Sequence, residues 1–238
     1  MHLLIIDGNH VEAEFRQKFG PTHEYTFIDT ENGPERDWEE IQHIIDAAAV
    51  SADVAFTFCI PSDRYGVTRW LEEFTFPIFA EVLWNSLADS QWEDENGKPH
   101  KLYFGFCGLP TLLNRPLLEV SLYNEADANK LAEICAALGT GYRVVQDRVG
   151  LVTPRVICMI INEACYTLQE GTASIQDIDK SMKLGTSYPR GPFEWANLIG
   201  VSRVYAVLEA MWQDTHDERY KVCPLLKTMY LRGESFTL

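Results

Sequence analysis

The chain has 238 residues, of which 46% are hydrophobic and 23% charged, a balance typical of a compact folded protein with one large or two modest domains. Its formal charge of −15 argues against a nucleic-acid partner and against binding to an anionic membrane surface. The first residues lack a charged start followed by a long apolar core and a cleavage site, and no apolar run reaches membrane-spanning length. We therefore expect no membrane segment and a cytoplasmic location.

The cysteines indicate a reducing compartment. None of them forms a C-x-x-C pair, and most lie within apolar runs, which favours buried thiols over a disulfide framework or a metal site. We expect no metal. The six cysteines are Cys59, Cys107, Cys135, Cys158, Cys165 and Cys223.

The first thirty residues predict a strand, a turn, a helix and a second strand. His2–Asp7 is a short apolar run of strand type, Val11–Phe19 is a helix candidate, and Glu24–Asp29 is a second strand that ends in an acid. This order is typical of the opening of a nucleotide-binding βαβ unit.

The rest of the first half continues the alternation of helices and strands. We expect a charged loop with an Asn-Gly turn at Glu93–Lys101. The other predicted elements are helices at 37–49, 64–73 and 126–138 and strands at 54–60, 77–83 and 142–146.

Beyond Gly150 the pattern is helical throughout. Thr153 is a candidate N-cap with Pro154 at the first helical position, and Gly171 is a natural helix end. Ser174 and Asp177 resemble a capping box that opens the next helix. We expect five helices, over about 152–169, 175–184, 192–199, 202–213 and 224–232.

The run from Glu163 to Gly200 resembles the C-terminal helical domain of the 3-hydroxyacyl-CoA dehydrogenases. It contains EGTASIQDIDKSMKLG and, after three residues, PRGPFEWANLIG, a long match in the family's order. The resemblance implies an α/β protein with a shortened, Rossmann-like NAD-binding domain at residues 1–148. An all-α C-terminal domain that forms a homodimer follows at residues 149–238.

The family's cofactor motif is degenerate in this chain. Its G-x-G-x-x-G fingerprint falls on Ile6–Val11, where only the middle glycine, Gly8, is kept. Asp29 stands where the family has its ribose-binding acid. Asp7 and Glu12 place negative charge where a pyrophosphate would rest on the helix N-terminus, which opposes binding of NAD.

The family's catalytic histidine is also replaced. Leu117–Val120 matches the family's L-V-E-V, with Glu119 in the place of the glutamate that orients the histidine. The same spacing puts Cys107 at the position of the histidine itself, within FCGLP. Ser86 belongs to a partial match with the family's N-T-S-S-L. A thiol beside apolar residues and a carboxylate should stay neutral and transfer protons poorly.

Two further differences concern substrate handling. Pro154 stands in the place of an asparagine that contacts the substrate in the family, and the short interval between Thr30 and Ser51 omits the family's helical arm for the CoA moiety. His100, the nearest other histidine, is expected to be exposed on the charged loop.

Three functions therefore stand open. The first is a noncatalytic relative that keeps the fold and the dimer as a binding or regulatory module, with an acyl-CoA as a possible ligand. The second is an active, divergent NAD-dependent dehydrogenase that oxidises a 3-hydroxyacyl-CoA. The third is a different enzyme that uses Cys107 as a nucleophile. The combined loss of glycines, histidine and asparagine favours the first.

Overall fold

A computed structural model describes residues 1–30, 38–58, 75–90 and 102–238. The chain forms two compact units, Met1–Leu151 and Val152–Leu238. Several predictions lie outside the described residues: the helix at 64–73, the loop at 93–101, the end of the strand at 54–60, and the positions of Cys59 and His100.

The first unit is built on one sheet, in which the described residues contribute seven strands in the order β2-β1-β3-β4-β5-β6-β7. All neighbouring strands are parallel except β5 and β6. The strands are β1 His2–Ile6, β2 Glu24–Ile28, β3 Val54–Thr57, β4 Ile78–Glu81, β5 Tyr103–Phe106, β6 Leu117–Leu122 and β7 Gly141–Val145. Among the described residues of this unit the α-helices are α1 Glu12–Phe19, α2 Trp38–Ala49 and α3 Ala128–Ala137.

The strand sequences explain which strands are central. Every residue of β1, β3, β4 and β5 is buried, as expected for parallel strands covered on both faces. The outer strands β2 and β7 are mostly exposed or half-buried. The core between sheet and helices is rich in phenylalanine, and the rings of Phe56 and Phe79 stack at a centroid distance of 4.8 Å.

The fold class predicted from the sequence is confirmed, a Rossmann-like α/β region followed by a helical region. The predicted strands at 2–7, 24–29, 77–83 and 142–146 are all present, with shifted ends. No strand was predicted at β5 or β6. The four residues of β5 include Gly105, and a glycine within a strand weakens the sequence signal. Gly105 is needed there because a side chain would collide with Ser121 and Val82.

The second unit consists of helices in its described residues, and the other helices pack against the longest one. The helices are α4 Thr153–Gln169, α5 Ile175–Gly185, α6 Pro192–Ile199, α7 Val201–Thr215 and α8 Pro224–Arg232. Helix α4 contacts all four of the others. None of the helices in the described parts of the chain combines the length and apolarity that crossing a membrane requires.

The helix ends test the sequence prediction closely. The predicted N-cap at Thr153 is wrong, because α4 already begins at that residue, and Val152 occupies the cap position without a side-chain hydrogen bond. The positive φ angles of Gly150 and Leu151, 75° and 43°, place the turn immediately before it. The Ser174 cap of α5 is confirmed, since Ser174 Oγ accepts the N–H of Asp177 at 3.2 Å; the Asp177 carboxylate accepts the Ser174 hydroxyl at 2.7 Å.

A buried carboxylate links α5 to α6. Asp179 on α5 is 7% exposed and accepts the N–H groups of Phe193 and Glu194 at 2.8 and 3.1 Å. A side chain at Gly191, the residue before α6, would collide with this carboxylate. The Asp and the Gly-Pro-Phe of the sequence motif therefore act together to start α6.

Candidate functional site

The sheet defines one place for a ligand. Strand order reverses between β1 and β3, and open sheets of this type bind ligands beyond the carboxyl ends of the strands at such a point. The residues at this edge are Asp7 and Gly8 after β1, Phe58 after β3, Glu81 at the end of β4, and Cys107 after β5.

The turn after β1 is fastened to the end of β2 by Asp7. Its φ angle is 58°, a left-handed conformation that aspartate tolerates better than most side chains. The carboxylate of Asp7 accepts the N–H and the hydroxyl of Thr30, each at 2.7 Å, and its own N–H donates to the carbonyl of Ile28. The charge predicted at this turn is thus held in place by hydrogen bonds to the neighbouring loop.

A second contact connects the same two segments. The side-chain amide of Asn9 lies 3.4 Å from Oδ2 of Asp29, the residue in the position of the ribose-binding acid. Glu12, at the start of α1, forms an ion pair with Arg16 at 2.8 Å, both side chains being about half exposed. The turn after β1 therefore carries the carboxylate of Asp7, and the carboxylates of Glu12 and Asp29 lie at the start of α1 and just after β2.

The space beside Gly8 is filled by Phe58. A methyl group built on Gly8 would lie 2.6 Å from Cε2 of Phe58 and would also collide with Ile5. The Phe58 side chain is 3% exposed and lies edge-on to the ring of Phe106, at a centroid distance of 5.3 Å. A residue larger than glycine at position 8 would therefore collide with the protein's own side chains, those of Phe58 and Ile5.

These residues do not fit a dinucleotide. A pyrophosphate needs backbone N–H groups at an open, glycine-lined helix N-terminus with little negative charge nearby. Here an aromatic ring covers the one glycine that is kept, and carboxylates flank it.

The predicted proton-transfer residues lie next to the last pair of the β5–β6 ladder. In that pair Phe106 lies opposite Val120; Cys107 follows Phe106 just beyond the end of β5, and Glu119 precedes Val120 within β6. Cys107 is buried, whereas Glu119 is half-buried.

Ser86 lies in a hydrogen-bonded turn after β4. Its hydroxyl donates to Oδ2 of Asp89 at 2.8 Å and accepts the N–H of the same residue at 3.2 Å. The next two N–H groups, of Leu87 and Ala88, donate to Asp147, which also accepts the hydroxyl of Ser121. Ser86 therefore has a structural role in this turn, and Asp147 holds the turn against β6.

Sequence reasoning missed two residues of the edge. Glu81 is a carboxylate only 4% exposed at the end of β4, with Oε1 reaching the position of Gly108. A single acid within the apolar run IFAEVLW was a usable signal, because acids are rarely buried without a reason. Phe58 gave no such signal, since a phenylalanine at the end of a buried strand is ordinary.

Two other sequence predictions concern Pro154 and metal binding. Pro154 is buried in the first turn of α4, where it leaves no side-chain hydrogen bond. Among the described residues no group of three His, Cys, Asp or Glu side chains could hold a metal ion.

Solved structures share this fold. Mycobacterium tuberculosis FadB2 matches 97% of this chain and 93% of its own, with a TM-score of 0.74 and 16% identity. A (S)-3-hydroxybutyryl-CoA dehydrogenase from Ralstonia eutropha matches 98% and 94%, with a TM-score of 0.68 and 18% identity. The chain thus has the fold of these structures, a Rossmann-like region followed by helices.

The sequence comparisons cover only part of the chain. The model of the 3-hydroxyacyl-CoA dehydrogenase C-terminal domain matches residues 150–235. A 3-hydroxybutyryl-CoA dehydrogenase from Bradyrhizobium diazoefficiens is 37% identical over 127 residues, covering 51% of this chain and 43% of the relative. A 3-hydroxyadipyl-CoA dehydrogenase from Escherichia coli is 43% identical over 83 residues, covering 35% and 18%. Residues 150–235 thus match the C-terminal domain of the 3-hydroxyacyl-CoA dehydrogenase family, and the chain spans less than half the length of either relative.

Proposed function

We propose that the chain is a noncatalytic member of this family that keeps the fold as a binding or regulatory module. The observation that carries the proposal is the closed carboxyl edge at Gly8, where Phe58 and the hydrogen-bonded Asp7 turn leave no glycine-lined seat for a pyrophosphate. Cys107 in the position of the catalytic histidine supports it further, because a buried thiol replaces imidazole poorly as a general base.

Direct titration with NAD and NADH tests the proposal. The six tryptophans allow the titration to be followed by intrinsic fluorescence and repeated by calorimetry. We expect no saturation at cofactor concentrations that saturate an active 3-hydroxybutyryl-CoA dehydrogenase measured in parallel. Micromolar affinity for either form of the cofactor would contradict the noncatalytic assignment.

A second candidate is an active, divergent dehydrogenase that oxidises a 3-hydroxyacyl-CoA to the 3-oxoacyl-CoA with NAD. The observation in its favour is that Cys107 and Glu119 flank the last pair of the β5–β6 ladder, Phe106 with Val120. NADH oxidation with acetoacetyl-CoA, measured on the wild type and on Cys107→Ala, separates the two. Turnover in the wild type that is lost in Cys107→Ala would make Cys107 catalytic.

The ligand of the module is proposed to be an acyl-CoA. The support is the family alone, in which the curated relatives are named for CoA thioesters. Calorimetry with butyryl-CoA in the absence of cofactor tests this, and free CoA is the control for binding through the nucleotide part.

We also propose a homodimer formed through the helices of the second unit, in the cytoplasm. Side chains of Val152 and Val156, both about half exposed at the start of α4, and of Leu184 and Leu231 leave apolar surface uncovered on one chain. The buried free thiols of the described cysteines are consistent with a reducing compartment.

A further inference from the structure

Phe58 lies between two glycines, each of which follows the end of a different strand. One edge of its ring faces Gly8 after β1, and the other faces Gly108 after β5. A methyl group on Gly108 would collide with Cε1 and lie 2.9 Å from Cδ1 of Phe58, while one on Gly8 would lie 2.6 and 2.7 Å from Cε2 and Cδ2. The ring therefore reaches across the carboxyl edge on both sides of β3.

The ring is held firmly at this position. Its backbone N–H donates to the carbonyl of Ile6 at 2.9 Å, which continues the pairing of β3 with β1. Phe106 and His10 lie edge-on to the ring at centroid distances of 5.3 and 5.4 Å, and Phe15 lies at 6.3 Å. Contacts of this type fix an aromatic ring in orientation as well as in depth.

We propose that Phe58 is a built-in plug of the dinucleotide position, and that Gly8 and Gly108 are seats for its ring. The inference rests on the proposed function, since it names the residue that excludes the cofactor. At the reversal of strand order a dinucleotide would have to approach the backbone of Gly8, and the Phe58 ring lies against Gly8 on the side to which a side chain would point. Phe58 is thus a residue that determines ligand specificity, and the class of ligand it excludes is the pyrophosphate-bridged dinucleotide.

The first experiment removes the ring. Phe58→Ala is titrated with NAD, and we expect its affinity to rise about tenfold or more above that of the wild type, the ratio that corresponds to 1.4 kcal/mol. The matched control is Phe19→Ala, which removes a buried ring of the same core at the other end of α1. This control should lose stability without any gain in affinity for NAD.

The second experiment does not depend on ligand binding. Gly108→Ala should lower the equilibrium constant for folding strongly in the wild type, because its methyl group meets the ring. The Phe58→Ala background removes two of the three atoms nearest to the added methyl group and leaves Oε1 of Glu81, so we expect the effect of Gly108→Ala to shrink by about fivefold or more. Gly141→Ala, which is crowded by Leu117 and Pro116 instead, should have the same effect in both backgrounds.

The outcomes separate the plug from the proposed function. Micromolar binding of NAD by the wild type overturns both. If neither the wild type nor Phe58→Ala binds NAD, the plug alone is overturned. The plug is also overturned if Gly108→Ala lowers the equilibrium constant for folding by the same factor in the wild type and in Phe58→Ala. If Phe58→Ala does not fold, Phe58→Val replaces it in both experiments with the same expectations.

Discussion

At the scale of single residues, the described cysteines behave as core side chains. Burial alone raises the pKa of Cys158 to about 12. Burial also raises the pKa of Cys135 to about 11, against a smaller opposite effect of the Lys18 ammonium group. A thiol with so high a pKa is almost entirely protonated near neutrality and is a poor nucleophile.

The thiols make the stability of the protein dependent on alkaline pH. Unfolding exposes Cys158 and lets it ionise near its ordinary pKa of 9, whereas the folded state keeps the proton up to about 12. Because the folded-state pKa is raised, the contribution to stability is complete below pH 9 and is lost as the pH rises toward the folded value. We expect the free energy of unfolding, measured with urea, to fall between pH 8 and 10.5 and to fall less steeply in Cys158→Val.

A thiol reagent at pH 8 should label Cys135 and Cys158 only after unfolding, and rapid labelling of the native protein would contradict the burial of these two thiols.

At the scale of elements, the start of α6 is the clearest test of a sequence motif. Asp179 accepts two N–H groups from the first turn of this helix, and Gly191 leaves room for its carboxylate. We expect Asp179→Ala to cost about 2 kcal/mol or more, because it leaves two buried N–H groups without an acceptor. Ser174→Ala, which removes the more exposed cap of α5, should cost about 1 kcal/mol. Urea denaturation of the two variants gives both values, and equal costs would contradict the burial argument.

The elements also show how far the sequence alone leads. Helix positions in the second unit were predictable within one or two residues because Pro, Gly and Ser mark their ends, as at Pro192, Gly200 and Pro224. The cap at Thr153 was wrong because a left-handed Leu151 turns the chain, and no sequence rule predicts that conformation for leucine.

The candidate site was predictable only in part. Spacing placed Cys107 and Glu119 at the positions of the family's histidine and glutamate, and both residues flank the last pair of the β5–β6 ladder. The roles of Ser86, Asp7 and Phe58 were not predictable, because each depends on partners far away in sequence, such as Asp7 with Thr30 and Phe58 with Gly108.

At the scale of the whole molecule, the proposed homodimer has a direct test. The wild type at micromolar concentration should give about twice the mass of 27.2 kDa in light scattering, because the exposed apolar side chains of α4 and its neighbours need a cover. Val156→Asp places a charge on one of these exposed apolar positions and should shift the molecule toward the monomer, whereas Val50→Asp on the first unit, with 87% of Val50 exposed, should not. A wild type that stays monomeric at high concentration would contradict the dimer.

The order of the strands also bears on how the chain reaches its folded state. Strand β1 lies between β2 and β3, and although it is the first to be synthesised, Leu3 must find Val54 before its second side is paired. Such distant pairings cost loop-closure entropy before any burial compensates for it, and parallel sheets of this kind fold slowly. On the ribosome, therefore, the apolar run LLII is exposed until more than fifty residues have emerged. This chain should accordingly depend on chaperones more than an all-helical protein of similar size.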